Sequence, residues 1–246
     1  MAKVLVTGAA SGIGKAIVSA FVEIGADVIA ADIAYAQNND SHHRQVHLRP
    51  LDVSDENAWQ AIFDWMRSTH NVPSVLVNCA GVMMPADVDA TDAALFDRIM
   101  SINARGTFLG CKYFLQAMAA TSTEGAVVNV ASTAAIKPAP WVAAYAASKA
   151  AVVNLTRSVA LQGAGMRPVV RCNAVLPGVV MTPMVQSLLD SSPDPAASLE
   201  MLKTQHPIGR LIQPEEIANA VLFLASAQAS AITGASLVVD GGMTAG

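Results

Sequence analysis

Three side chains in the middle of this sequence could together move a proton on and off an alcohol oxygen. Tyr145 and Lys149 stand four apart in "YAASK", at the start of a helical pattern. That spacing puts both on one helix face. A phenol with a pKa of about 10 is a poor base at neutral pH, but a nearby ammonium favours its phenolate. Ser132, which closes "VVNVAST", offers a hydroxyl to hold a substrate oxygen beside the phenol. Each alone is ordinary, because a Tyr and a Lys at this spacing are usually only surface neighbours. They gain meaning from what accompanies them.

Near the amino terminus, "TGAASGIG" (residues 7–14) carries Gly8, Gly12 and Gly14 directly after the apolar run Val4-Leu5-Val6. If Lys3–Thr7 is a strand and Ile13–Ile24 a helix, these glycines form the turn between them. A helix amino terminus presents unpaired N–H groups and partial positive charge to a phosphate. Glycine lets the chain turn tightly and lets a pyrophosphate approach without meeting a Cβ. Ser11 and Ile13 fall inside the same turn. The spacing is G-x-x-x-G-x-G, not the dinucleotide G-x-G-x-x-G, and close helix–strand packing is the competing reason for such glycines.

Asp32 shifts that balance. It ends "DVIAAD", 18 residues beyond Gly14, where a carboxylate accepts hydrogen bonds from both adenosine ribose hydroxyls. The same charge repels a 2′-phosphate, by about 4 kcal/mol per unit charge at ~4 Å and an effective dielectric of ~20. Ile33 follows, and no Arg or Lys flanks the position. The cofactor expected is NAD, not NADP.

Short β-branched runs alternate with helical patterns along the chain. Strands are expected at Lys3–Thr7, Asp27–Ala31, Val46–Leu51, Ser74–Asn78, Ala126–Ala131, Val169–Val175 and Ser236–Val239, with helices near 12–25, 54–69, 92–120, 142–162 and 214–226. Parallel neighbours need crossover helices, so the alternation predicts a doubly wound α/β sheet in one domain, residues 1–246. Residues 181–213 break the rhythm and read as two short helices around a loop, placed as a substrate cover.

Composition excludes other classes. At 246 residues, with 53% hydrophobic and 14% charged, the chain suits a globular domain. No uncharged apolar run reaches the ~20 residues a membrane helix needs, and "MAKVLVTG" is too short for a signal-peptide core. A net charge of −4 gives no reason to expect nucleic acid or an anionic membrane as partner. Cys79, Cys111 and Cys172 form no CxxC, and the histidines, including the loop pair His42-His43, fall in no metal-ligand spacing. Free thiols in a reducing cytoplasm and no metal are the expectation.

Taken together, the TGxxxGxG turn, "LDVSD" (51–55), "NCAG" (78–81), Asn103, Ser132, Tyr145-x-x-x-Lys149, "PG" (177–178) and "DGG" (240–242) resemble the short-chain dehydrogenase/reductase family, in its compact single-domain branch. The resemblance spans nearly the whole chain and implies a Rossmann-type sheet of seven parallel strands flanked by helices. It implies that Tyr145 takes the alcohol proton as hydride leaves for the nicotinamide. Lys149 would lower the phenol's pKa and bind the nicotinamide ribose, Ser132 would orient the substrate, and Asn103 would hold a water beside Lys149. It also implies cofactor contacts from Asp52, Val53, Asn78, Ala80 and Gly81. Val180 and Thr182 would fix the carboxamide, and Pro177-Gly178 would shape the nicotinamide site. Cys79 departs from the family's NNAG. A non-catalytic dinucleotide sensor would not need this acid/base set, and an enoyl reductase more often spaces its Tyr and Lys further apart.

The expected substrate pocket is apolar: Met83 and Met84, Ala134, Trp141 and Val142, then Met184, Leu188 and Met201 from the cover. Lys203 and Arg210 read as isolated and solvent-facing. With no Arg cluster for a carboxylate or phosphate, the substrate expected is an uncharged hydrophobic secondary alcohol or its ketone; a polar hydroxy acid or sugar alcohol is the alternative. The resemblance favours a homotetramer, consistent with apolar residues such as Ala146, Ala147, Ala150, Ala151, Val152 and Val153 on more than one helix face.

Overall fold

The computed structural model describes residues 2–35 and 43–246, so His42 lies outside the described residues. Seven strands form one sheet: β1 (Lys3–Thr7), β2 (Asp27–Asp32), β3 (Val46–Pro50), β4 (Val75–Asn78), β5 (Gly125–Val130), β6 (Val170–Pro177) and β7 (Ser236–Val239). Their order is β3-β2-β1-β4-β5-β6-β7, and every pair is parallel. The expected strands are all present, with ends displaced by at most two residues. The largest displacement, at β6, follows from pairing: Pro177 lies opposite Val239, which carries the strand beyond Val175.

Strands β4 and β5 are buried at every position. That burial explains their near-continuous apolar sequence, since a parallel sheet is covered on both faces. On one face, α1 (Gly12–Glu23) and α8 (Pro214–Ala225) bring Ile17, Phe21, Ile217 and Val221 against Val4, Val6, Val28 and Val128. On the other, α2 (Glu56–Ser68), α4 (Gly106–Met118) and α5 (Ala143–Ala164) bring Trp59, Phe63, Met66, Phe114 and Val159 against Leu5, Ile29, Leu76 and Val127.

The helix expected over 92–120 is not continuous. Helix α3 (Ala93–Met100) passes into one π-helical turn, Ser101–Arg105, before α4 begins. Asn103 sits inside that turn with its side chain bonded to the backbone of Val82 on a separate loop. A π turn widens the helix locally, a feature frequent at functional sites. The stretch 181–213 folds as expected into α6 (Pro183–Asp190) and α7 (Pro195–Thr204), each opening on Pro after a capping Thr182 or Asp194. Among the described residues, no helix is long and apolar enough to cross a membrane, and no cluster of His, Cys, Asp or Glu is grouped to hold a metal ion.

Because all strands run one way, Thr7, Asp32, Asn78, Val130 and Pro177 end at the same edge of the sheet. The order reverses direction at β1, which lies between β2 and β4. Such an edge, at such a reversal, is where open α/β sheets bind ligands.

Candidate active site

One cavity of about 470 Å³ opens along that edge. Its floor is the β1–α1 turn. Gly8 and Gly12 hold positive φ values of +68° and +51°, and a Cβ on Gly8 would come within 2.7 Å of Ala80 Cα. The packing explanation holds at Gly8, which lies against the chain just after β4, and at Gly14, where a Cβ would meet Gly8 O. Such packing is compatible with a phosphate cradle. Ser11 stands at the N-cap of α1 but makes no side-chain capping bond, and the first turn carries no acid. Helices α2, α3 and α7 are instead capped by Asp55, Asp92 and Asp194. Only α1 among these presents its orphan N–H groups to the cavity, a cradle suited to a pyrophosphate.

Asp32 lies beside this turn. Its carboxylate accepts the Ala10 N–H at 3.0 Å and the Ala34 N–H at 2.9 Å, which fixes it at the cavity wall. Ile33, Asp52, Val53, Ala80, Gly81, Pro177, Gly178, Val180 and Thr182 also line the cavity, together with Gly8, Ser11, Gly12, Ile13 and Gly14. Asn78 does not: it is buried behind the wall, where its amide donates to Asn129 Oδ1 at 2.8 Å and its own Oδ1 has no partner. At Cys79 the NCAG turn is held through its own backbone N–H groups. The N–H groups of Cys79 and Ala80 both donate to Thr7 Oγ1, at 3.1 and 3.2 Å. All three cysteines are free, Cys79 half-buried and the others buried.

The structure brings Ser132, Tyr145 and Lys149 to one end of the cavity. Ser132 follows β5 and caps a short 3₁₀ turn through the Ala134 N–H at 3.1 Å. Tyr145 and Lys149 lie one helical turn apart near the start of α5, with Lys149 Nζ 5.7 Å from the Tyr145 ring centre. Lys149 Nζ donates to Val130 O at 2.9 Å. Asn103 is fully buried: its Oδ1 accepts the Val82 N–H at 2.8 Å, and its Nδ2 donates to Val82 O at 2.9 Å and Ser148 Oγ at 3.0 Å. Its side chain therefore stitches the 82 loop to α5. Gly81 lies where a Cβ would stand 3.2 Å from Asn103 Oδ1 and 3.3 Å from Lys149 Nζ, so the two groups flank one small space.

Burial dominates the electrostatics of these groups. Tyr145 is half-buried, and burial raises its phenol above the ordinary tyrosine value; the Ser132 hydrogen bond acts the other way and Cys79 adds to the rise. The influence of Lys149 expected from the spacing is not among these causes. Lys149 itself is moved by burial, down to about 8, with Cys79 opposing. Burial also pushes the Cys79 thiol up to about 12 despite Lys149, so Cys79 stays protonated.

Of the expected substrate residues, Met83, Ala134, Trp141, Val142, Met184 and Leu188 line the cavity, whereas Met84 and Met201 do not. Met201 faces outward at 58% exposure. Lys203 and Arg210 are not isolated: Lys203 pairs with Glu200 at 2.6 Å, and Arg210 grips Glu216 through two bonds of 2.8 Å. Among the lining residues that sequence reasoning did not assign to the site are Lys137, Leu202, Gln205 and Met243. None carries a local signal, because the fold alone brings their distant segments together.

A buried ammonium works against folding, which yields a stability test. Its pKa is depressed, so the unfolded chain binds more protons between pH 8 and the ordinary lysine range, and stability rises with pH there. Lys149→Met should raise the unfolding free energy at pH 7 by about 1–3 kcal/mol and flatten that rise, as urea denaturation at pH 7 and 9.5 would register. A loss of stability at both pH values would contradict this.

Comparisons with known proteins agree with the geometry. Residues 8–244 match the family model described as Enoyl-(Acyl carrier protein) reductase. The chain is 40% identical, over 98% of its length and 96% of the relative's, to the cis-4-hydroxycyclohexanecarboxylate dehydrogenase of Sinomonas cyclohexanicum. It is 37% identical, over the same shares of both chains, to the cyclopentanol dehydrogenase of Comamonas sp.. The ligand-free aldohexose dehydrogenase of Thermoplasma acidophilum superposes with a TM-score of 0.90 at 33% identity, covering 100% of this chain and 94% of that one. The chain belongs to the short-chain dehydrogenase/reductase family, as an oxidoreductase of alcohols that uses a nicotinamide cofactor.

Proposed function

We propose that the protein oxidises a secondary alcohol on a hydrophobic, cyclic or aryl skeleton with NAD. The observation that carries this reading is the convergence of an uncapped helix terminus, Asp32 and the Ser132–Tyr145–Lys149 group on one cavity. The residues fit the cofactor: the Gly8–Gly14 turn would hold the pyrophosphate, Asp32 the adenosine ribose, and Asp52 and Val53 the adenine. Lys149 would hold the other ribose, and Val180 and Thr182 the carboxamide. Asp32 favours NAD by charge, since among the described residues the cations lining the cavity, Lys137 and Lys149, belong to its Tyr145 end. When bound, oxidised nicotinamide supplies the hydride acceptor.

Ser132 holds the alcohol oxygen against the phenol. Tyr145, as phenolate, takes the hydroxyl proton while the carbinol C–H bond breaks with its electron pair. Lys149 stabilises that phenolate, and a water in the space flanked by Asn103 Oδ1 and Lys149 Nζ would pass the proton outward. Because burial keeps the phenol protonated at neutral pH, oxidation should accelerate as pH rises. The four-residue Tyr–Lys spacing favours alcohol chemistry over enoyl reduction. Helices α6 and α7 would cover the substrate.

A second reading is favoured by Lys137. Its ammonium lines the cavity, donates to Met243 O at 2.8 Å and, among the described residues, pairs with no carboxylate. A ring alcohol bearing a carboxylate, like the compound named for the Sinomonas relative, would meet that charge.

Absorbance at 340 nm with NAD or NADP tests both readings: cyclohexanol ahead of 4-hydroxycyclohexanecarboxylate favours the first, and the reverse order favours the second. Cyclohexanol, 1-phenylethanol, a hydroxysteroid or 4-hydroxycyclohexanecarboxylate should outrun 3-hydroxybutyrate and a sugar alcohol. NAD should exceed NADP at least tenfold in kcat/KM, a difference of about 1.4 kcal/mol, and Asp32→Ala should narrow the gap. Equal use of NADP, or a clear preference for 3-hydroxybutyrate or the sugar alcohol, would overturn the corresponding part.

Tyr145→Phe removes only the acid/base hydroxyl and should lower kcat by the ~10²–10⁴-fold typical of that loss, with NADH affinity little changed. Retention of more than about a tenth of the activity would assign the proton transfer elsewhere.

Assembly as a homotetramer belongs to the same proposal. Ala146, Val152 and Val153 are consumed by internal packing, but Ala147 and Ala150 on α5 remain exposed, as do Phe108 at 48% and Leu161 at 79%. Light scattering at micromolar concentration should report four copies; a monomer alone would refute this.

A further inference from the structure

His206 is a fully buried, titratable side chain that the chemistry above does not use, at 1% exposure just beyond α7. Its protonation state is set by partners of unambiguous type. Leu202 O can only accept, so Nδ1, at 2.9 Å from it, carries the hydrogen. The Val179 N–H can only donate, so Nε2, at 3.1 Å, carries the lone pair. The ring is a neutral imidazole serving as one donor and one acceptor.

Those two bonds join the cover to the wall of the cavity. Leu202 and Val179 both line it, one from α7 and the other from the segment that follows β6. That segment is otherwise pinned by Gly178 N–H to Val239 O at 3.0 Å and by a parallel bridge to Ile212. In the bridge, Met181 N–H donates to Ile212 O and Ile212 N–H donates to Val179 O, each at 3.0 Å. In a parallel bridge the central residue's own N–H and C=O point to the opposite edge. Val180, which lines the cavity, is that central residue. The imidazole also presses closely on the segment: a Cβ on Gly178 would stand 2.9 Å from Nε2 and 3.0 Å from Asp240 Cα.

We infer that His206 is a positioning residue for the nicotinamide end of the cofactor. By accepting the Val179 N–H it fixes the orientation in which Val180 presents its backbone N–H and C=O to the cavity, and by donating to Leu202 O it ties that orientation to the cover. The inference rests on reading this end of the cavity as the nicotinamide site. It requires one donor and one acceptor at this position, not an aromatic ring. Glutamine supplies both from its amide; leucine supplies the bulk and neither bond.

The test compares NADH with ADP, which would reach only the glycine turn, Asp32 and the Asp52–Val53 wall, by fluorescence and calorimetry on the full chain. His206→Leu should weaken NADH at least tenfold and leave ADP within twofold of the unmodified protein, while His206→Gln should keep NADH within threefold. Retained ADP binding also reports that each variant is folded. If the leucine variant does not fold, His206→Ser carries the same test, with NADH weakened at least fivefold and ADP unchanged. Equal weakening of NADH and ADP, NADH binding unaffected by loss of both bonds, or a glutamine variant no better than leucine would overturn the positioning role. If the unmodified protein bound ADP but gained nothing from the nicotinamide half, the reading of the cavity itself would fall.

Discussion

The hydrogen bond from Lys149 Nζ to Val130 O, 2.9 Å long, joins α5 to the end of a central strand. Much of the site depends on that junction. It seats α5 so that Tyr145, one turn earlier, meets Ser132, which follows the same strand. One residue before Lys149, Ser148 Oγ donates to Tyr145 O at 2.7 Å and receives Asn103 Nδ2, which in turn holds the 82 loop. The ammonium is thereby kept where water is scarce, and the cost appears in its pKa of about 8. A fold selected for stability alone would place an apolar side chain there. On the proposed mechanism the charge has a use there, since a half-buried phenol, harder to ionise than in water, would need a cation close by to act as a base.

The opposite end of the cavity follows another constraint. Parallel strands share one carboxyl edge, and the turn after β1 must pass close to β4, with Gly8 against Ala80. Glycine satisfies that packing and leaves the α1 N–H groups uncovered, so a structural necessity coincides with the terminus proposed to hold the pyrophosphate. Asp32 stands on the neighbouring strand because β2 pairs with β1 in parallel, Thr7 opposite Ala31.

Much of this was legible in the sequence. Strand positions could be read because two-sided burial makes parallel strands apolar throughout, and Tyr145 and Lys149 because helical spacing is local. The break at Asn103 was visible only as a poor helix former; the π turn itself depends on Val82, 21 residues away. His206 and Lys137 carried no signal, since each acquires its meaning from partners on segments distant in sequence, Val179 for one and Met243 for the other. Spacing can give proximity, but the dominant influence on Tyr145 is desolvation, which only the packed site reveals.

Isotope transfer tests the central claim most directly. Cyclohexanol carrying deuterium on its carbinol carbon would be incubated with the protein and NAD, and the reduced cofactor examined by mass spectrometry and proton NMR. One deuterium should appear at the nicotinamide C4 position, on a single face, and accumulate ~10²–10⁴-fold more slowly when Tyr145→Phe replaces the unmodified protein. Turnover that left the nicotinamide unlabelled, or labelled it equally on both faces, would contradict direct hydride transfer within this cavity.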